Sequence, residues 1–129
     1  MKKALKKPVF SRFSDIEPMK RLNLIAKIVK VETVNKIKRI DADPVDIAIC
    51  KVGDETGCAI MLLKGPQVVL AKEDKVLILR NVLAKMVKDR VRLEVDIWGK
   101  VEESNSSIKT VNLANDISAV EYEAVPVKE

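Results

Sequence analysis

The sequence predicts an all-β fold, a five-stranded Greek-key barrel with one short helix between its third and fourth strands. Two observations carry that expectation. Short apolar runs rich in β-branched residues recur at 22–34, 45–52, 58–63, 75–83 and 90–101, separated by polar or Gly/Pro breaks. The stretch VGDETGCAIMLL, at 52–63, sets Gly53-Asp54-Glu55-Thr56-Gly57 between two such runs, the mark of a β-hairpin. Gly53 and Gly57 can take positive φ there without steric cost, and Asp54 can bond the backbone two residues on.

The elements follow in order. Residues 1–7 read as a basic flexible tail with Lys2, Lys3, Lys6 and Lys7, and one domain is expected over 8–127. The segment 8–13 either pairs at a sheet edge or tucks Phe10 and Phe13 against the core. Residues 14–18 read as a capped single turn that Pro18 stops. In 22–34, Leu22, Leu24, Ala26 and Ile28 share one parity while Ile25, Val29 and Val31 share the other. Such a strand should bend or bulge. Helical periodicity fits part of this run too, but its β-branched content favours a strand. Residues 35–44, NKIKRIDADP, are expected to form the first long loop, and Lys64-Gly65-Pro66 to break the sheet after strand three. The short helix is expected at 67–72, and a tight connection with Lys85 and Lys88 at 84–89. Along 90–101, Val91, Leu93, Val95 and Ile97 alternate with Arg90, Arg92, Glu94, Asp96 and Trp98. Beyond a polar loop at 102–107, the runs 108–113 and 117–125 read as short extra strands or a packing arm.

Composition narrows the chemistry. A chain of 129 residues that is 47% hydrophobic and 33% charged suits one globular core. No apolar run approaches the ~20 residues that span a bilayer. The basic N-terminus has no apolar segment typical of a signal peptide, so nuclear or cytoplasmic residence is expected. The chain has no histidine, which removes Ser–His and Cys–His nucleophilic machinery and histidine-based metal sites. Cys50 and Cys58 lack the second half of a zinc motif; reduced core thiols are favoured over a bridge. Carboxylate pairs exist at Asp41/Asp43 and Glu94/Asp96, but the second pair reads as cross-strand salt partners of neighbouring basic residues. The expectation is therefore a non-catalytic protein without a cofactor. Charge is uneven. Residues 1–40 hold 12 Lys and Arg against 3 Asp and Glu, whereas the remainder holds 12 against 16. A basic front half suits a polyanion partner; a solvated lysine-rich surface explains it equally well.

Five β-runs with one helix between the third and fourth match the oligonucleotide/oligosaccharide-binding barrel, the OB-fold; a small β-sandwich fits that lone helix less well. The chain also resembles a known family. The pieces KPVF, IEPMKRLNLIAKIV (16–29), CKVGDETGCAIM (50–61), QVVLAKEDKVLILRN (67–81), MVKDRVRLEVDIWGKVE (86–102) and the ending AVEYEAV are similar to single-domain OB proteins related to replication protein A. The nearest pattern is the plant type, also similar to the SOSS-B single-stranded DNA-binding subunit. GDETG and the DxWG at Asp96, Trp98 and Gly99 are the most specific marks. The resemblance implies a barrel that binds single-stranded nucleic acid, and the expectation is binding of DNA or RNA with little sequence preference.

In an OB barrel, strands two and three and the first–second and fourth–fifth loops hold the ligand. Those loops carry Lys36, Lys38 and Arg39, and Lys85, Lys88 and Arg90; Arg80 and Arg92 would extend the track if they face outward. Met61 and Leu63 are expected to touch bases. Trp98 either offers a stacking platform or packs a barrel end. Where the SOSS-B-type pattern carries aromatics, this chain has Leu63, Leu83, Val87 and Glu94, so weak, salt-sensitive binding is expected. The alternative is an OB interaction module, a subunit whose apolar groove or edge receives a partner protein.

Overall fold

A run of 19 residues, Arg21–Arg39, forms one continuous strand, β1. Its two halves bury different neighbours. Arg21 to Lys27 pair with β4 (Val76–Val87), and Lys27 to Arg39 pair with β2 (Ala42–Asp54). Register shifts between Leu22 and Leu24, between Ile28 and Lys30, and between Val31 and Thr33 bend the strand from one partner to the other. The mixed parity in the sequence is the trace of this bend. The computed structural model describes residues 9–123, without the side chains of Ile37 and Arg39; the expected tail at 1–7 lies outside the described residues.

Three further strands are β3 (Gly57–Lys64), β5 (Arg90–Glu94) and β6 (Lys100–Glu103). The order β1–β2–β3–β5–β4, with β4 returning to β1, closes a ring of five strands, and β6 adds a sixth beside β4. This is an OB barrel. A 3₁₀ turn at Gly65–Leu70 stands between β3 and β4, two residues earlier than the expected helix.

The core fills the ring. Leu24, Ala26 and Ile28 of β1, Ala48, Cys50 and Val52 of β2, Met61 and Leu63 of β3, Leu77, Leu79 and Val82 of β4, and Val91 and Leu93 of β5 are all buried. Phe13 and Ile117 join this cluster from outside the strands. Cys50 and Cys58 are free thiols, and register sets them apart, Cys50 opposite Met61 and Cys58 opposite Gly53. Burial pushes the Cys50 thiol up to about 11, so it is no nucleophile near neutral pH.

Three expectations need correction. The region 35–44 is not a loop. β1 and β2 pair on to Arg39 and Ala42 and form a two-stranded ribbon that turns through Ile40 and Asp41 alone. Strand five is not continuous over 90–101. Glu94 pairs with Leu83 and Lys100 with Arg80, so five residues (95–99) loop out where β4 spends only Asn81 and Val82. Ile97 is therefore exposed rather than part of the buried face. The loop 84–89 contracts to the turn Lys88-Asp89, because β4 runs to Val87.

The β2–β3 corner forms as expected, but its glycines act differently. Neither Gly53 nor Gly57 has a positive φ. They are small because other chain segments lie against them. A Cβ on Gly53 would sit 2.4 Å from the Gly57 carbonyl oxygen and 2.7 Å from Val111 Cγ1; one on Gly57 would sit 2.9 Å from the Asn115 carbonyl oxygen. The residues 104–123 form a packing arm. Asn112 donates its N–H to the Asp54 carbonyl, Cys58 N–H donates to Asn115 O, and Ile60 N–H donates to Ser118 Oγ. Replacing Gly53 by Ala drives a methyl into backbone that cannot retreat. Urea unfolding of Gly53→Ala is expected to show a destabilisation on the order of 3 kcal/mol, at the upper end for overpacking.

Candidate nucleic-acid interface

Alternation along β3 decides which side chains reach solvent. Met61 and Leu63 are 0% exposed and point into the barrel. Neither can touch a base, which corrects the expectation for both. The outward residues of β3 are Ile60, Leu62 and Lys64, and β2 continues that face with Ile47 and Ile49. This outer face is apolar in its middle and basic at its rim.

The rim is built by the β4–β5 hairpin. Lys88 and Asp89 both adopt positive φ, 49° and 67°, the geometry that lets a two-residue turn follow strand twist. From it Arg90 and Arg92 alternate outward along β5, and Lys85 pairs with Arg92 across the hairpin. Lys88, Arg90 and Arg92 line a cleft of about 310 Å³ together with Ile60, Val87, Val91 and Ser118. Arg90 lies 3.8 Å from Glu121 of the packing arm. Among the described residues, no carboxylate lies within salt-bridge distance of Lys88, Arg92 or Lys38. Of the cations expected to bind whose side chains are described, these three are the ones without an ion-pair partner.

The other predicted cations scatter. Lys36 and Lys38 stand exposed on the β1–β2 ribbon, and Lys36 Nζ is 3.6 Å from Asp46. The side chain of Arg39 lies outside the described residues. Arg80 faces the β6 side, against the expectation that it extends the track. Its Nε donates to Glu102 at 3.1 Å and its guanidinium stands 5.7 Å from the centre of the Phe10 ring. Trp98 does not pack a barrel end; it is 70% exposed on the looped-out segment.

That segment is rigidly held. Arg21 forms a two-pronged contact with Asp96, Nη1 to Oδ1 at 3.0 Å and Nη2 to Oδ2 at 2.5 Å. Asp96 Oδ1 also accepts the N–H of Trp98, and Asn81 Nδ2 donates to the Trp98 carbonyl. The DxWG pattern is thus a turn built on one carboxylate, with the indole left outside.

Glu94 and Asp96 make the salt contacts expected of them, whereas the burial of Glu94 and the approach of the packing arm carry no signal in the linear sequence. Glu94 is outward on β5 yet its side chain is only 8% exposed, because Lys64 and Lys85 close over it. Burial alone would raise its carboxyl, but the two ammonium groups hold it below the usual range. Ser118 and Tyr122 arrive with the packing arm, and the Tyr122 N–H donates to the carbonyl of Asp89 in the turn. Contacts between residues so far apart in sequence follow from the fold alone. Among the described residues, no group of His, Cys, Asp or Glu could hold a metal ion, and no helix is long and apolar enough to cross a membrane.

Residues 16–103 match the family model described as single-stranded DNA binding protein Ssb-like, OB fold. The chain is similar to an uncharacterized protein of Arabidopsis thaliana, 33% identical over 132 aligned positions that cover 95% of this chain and 86% of that one. It is also similar to the solution structure of a hypothetical Arabidopsis thaliana protein, with a TM-score of 0.76, 32% identity and coverage of 100% and 96% of the two chains. A replication factor A related protein from Methanobacterium thermoautotrophicum matches with a TM-score of 0.61 at 14% identity, over 75% of this chain and 92% of that one. At that identity the likeness concerns the fold.

The Arg21–Asp96 pair yields a pH prediction. The guanidinium holds Asp96 at about 2, below the ordinary aspartate range near 3.9. A lowered folded-state pKa stabilises the protein above the unfolded value, and the gain fades as pH falls toward 2. Thermal unfolding of wild type and Asp96→Asn is therefore expected to differ at pH 6 and to converge between about pH 4 and pH 2.

Proposed function

From the premise that the chain belongs to the Ssb-like family of single-stranded DNA-binding OB-fold proteins, we propose that it binds single-stranded DNA or RNA without catalysing a reaction. The observation that carries this reading is the cleft where the β4–β5 turn gathers Lys88, Arg90 and Arg92 beside the apolar side chains of Ile60 and Val87. Cations follow the phosphates, and apolar side chains meet base faces. Lys38 on the ribbon and Lys64 and Lys85 at the rim continue the basic path around the outer face of β2 and β3.

Stacking contributes ~1–3 kcal/mol per base in such grooves. Of the four aromatic residues, Phe13 is buried and Phe10 lies under Arg80. Tyr122 is brought to the β4–β5 turn by the packing arm, through its N–H on the Asp89 carbonyl. Affinity therefore rests mainly on phosphate contacts, and it should fall steeply with salt.

A second reading has one specific observation behind it. Ile97 and Trp98 are 89% and 70% exposed on a turn that is fixed by Asp96, Arg21 and Asn81. A rigid, exposed apolar pair suits a partner protein, so the barrel could act as a subunit of a larger assembly.

The nucleic-acid reading is tested by Lys88→Ala combined with Arg92→Ala, measured by fluorescence anisotropy on a labelled single strand across salt concentrations. Each phosphate that is no longer neutralised should lower the slope of log affinity against log salt by ~0.7, so the double variant should lower it by about 1.4. The melting temperature should hardly change, because neither side chain has an ion-pair partner among the described residues. An unchanged slope moves the strand away from this cleft.

A further inference from the structure

The outer face of the barrel holds one carboxylate that is nearly buried among lysines and leucines. Glu94 projects outward from β5 between Leu62 of β3 and Leu83 of β4, its register partners on either side. Its side chain is 8% exposed, whereas those of Lys64 and Lys85, which close over it, are 47% and 51% exposed. Lys85 Nζ lies 3.4 Å from one carboxylate oxygen and Lys64 Nζ contacts the other. Two flexible ammonium groups thus share one buried anion in the middle of a surface otherwise suited to phosphates. A carboxylate there opposes binding unless it has a task of its own.

We propose that Glu94 reads a guanine base, a role that rests on the nucleic-acid reading above. Phosphates of a bound strand compete for Lys64 and Lys85, whose ends are half in solvent and free to swing. Once they leave, Glu94 is a buried anion without donors, and that state is costly. A base replaces the two ammonium groups only if its edge carries N–H groups at the spacing of two carboxylate oxygens. Guanine does, through N1–H and the N2 amino group. Cytosine and adenine each offer one amino group beside an acceptor nitrogen. Thymine and uracil present N3–H between two carbonyl oxygens that the carboxylate repels. Single-stranded sites read bases on this Watson–Crick edge. Leu62 and Leu83 bracket the anion and would keep water from satisfying it in place of the base. Elsewhere along the groove, contacts are to phosphates and base faces and stay sequence-tolerant.

The test is anisotropy at one fixed salt concentration with oligothymidylate, and with the same length carrying isolated guanines, cytosines or adenines between thymines. Guanines kept apart avoid self-association of the strands. Wild type is expected to favour the guanine strand over oligothymidylate by about ten-fold, toward the low end for one two-pronged base contact. Glu94→Gln replaces one acceptor by a donor and frees both lysines. It should cut the guanine preference to about two-fold while binding oligothymidylate at least as tightly as wild type. Equal wild-type binding to all four strands overturns the guanine assignment and leaves the nucleic-acid reading intact. Binding to none of them overturns the nucleic-acid reading itself. The wild-type series needs no variant, so a poorly folded Glu94→Gln would not spare the proposal.

Discussion

One carboxylate, Asp54, ties together segments that are far apart in the chain. Its Oδ1 accepts from the Thr56 N–H at 2.8 Å, the Thr56 hydroxyl at 2.6 Å and the Gly57 N–H at 3.2 Å. Its Oδ2 accepts the N–H of Phe13 at 3.2 Å, and its own carbonyl accepts from Asn112. The residue is buried, and no buried polar side-chain atom among the described residues lacks a partner. Four satisfied bonds make a buried anion tolerable; removing them would leave it uncompensated. The hairpin corner, the entry of Phe13 into the core and the course of the packing arm all depend on this one group.

From that anchor the interface is positioned step by step. The corner fixes the register of β2 against β3, and a slip of one residue would exchange Ile60 and Leu62 with Met61 and Leu63. The arm held at Asn112 and Asn115 then lays Ser118 against Ile60 and brings Tyr122 to the β4–β5 turn. Two ends of the molecule are thereby joined: the acidic hairpin tip, which repels phosphate, and the basic cleft, which attracts it. The Ile60–Ser118 and Asp89–Tyr122 hydrogen bonds tie the arm to both sides of the cleft. Such preorganisation matters most where few aromatics are present to reward a strand for binding.

Much of this was legible in the residues. The GDETG corner, the bent first strand and the position of the short helix follow from local periodicity and turn chemistry, and the structure carries all three. The run CAIMLL of β3 is apolar at every position, so no alternation marks which of Met61, Leu62 and Leu63 faces solvent; only pairing decides it. The looped-out turn at 95–99 depends on how many residues β4 places opposite, a quantity absent from the strand's own pattern. Gly53 and Gly57 suggest backbone freedom when read locally, yet they are needed because Val111 and Asn115 press against them from more than fifty residues away. The salt partnership of Glu94 shows in its alternation with basic residues, but its near-burial is invisible until Lys64 and Lys85 are seen to converge on it.

The proposed path of the nucleic-acid strand crosses β3 and the β4–β5 hairpin. Amide chemical-shift mapping by NMR, with a short single strand titrated at low salt, tests it directly. The largest shifts should fall on Ile60, Leu62 and residues 88–92, with the Ile97–Trp98 turn nearly unmoved. Shifts confined to that turn, or an unperturbed β4–β5 hairpin at saturating strand, would contradict it.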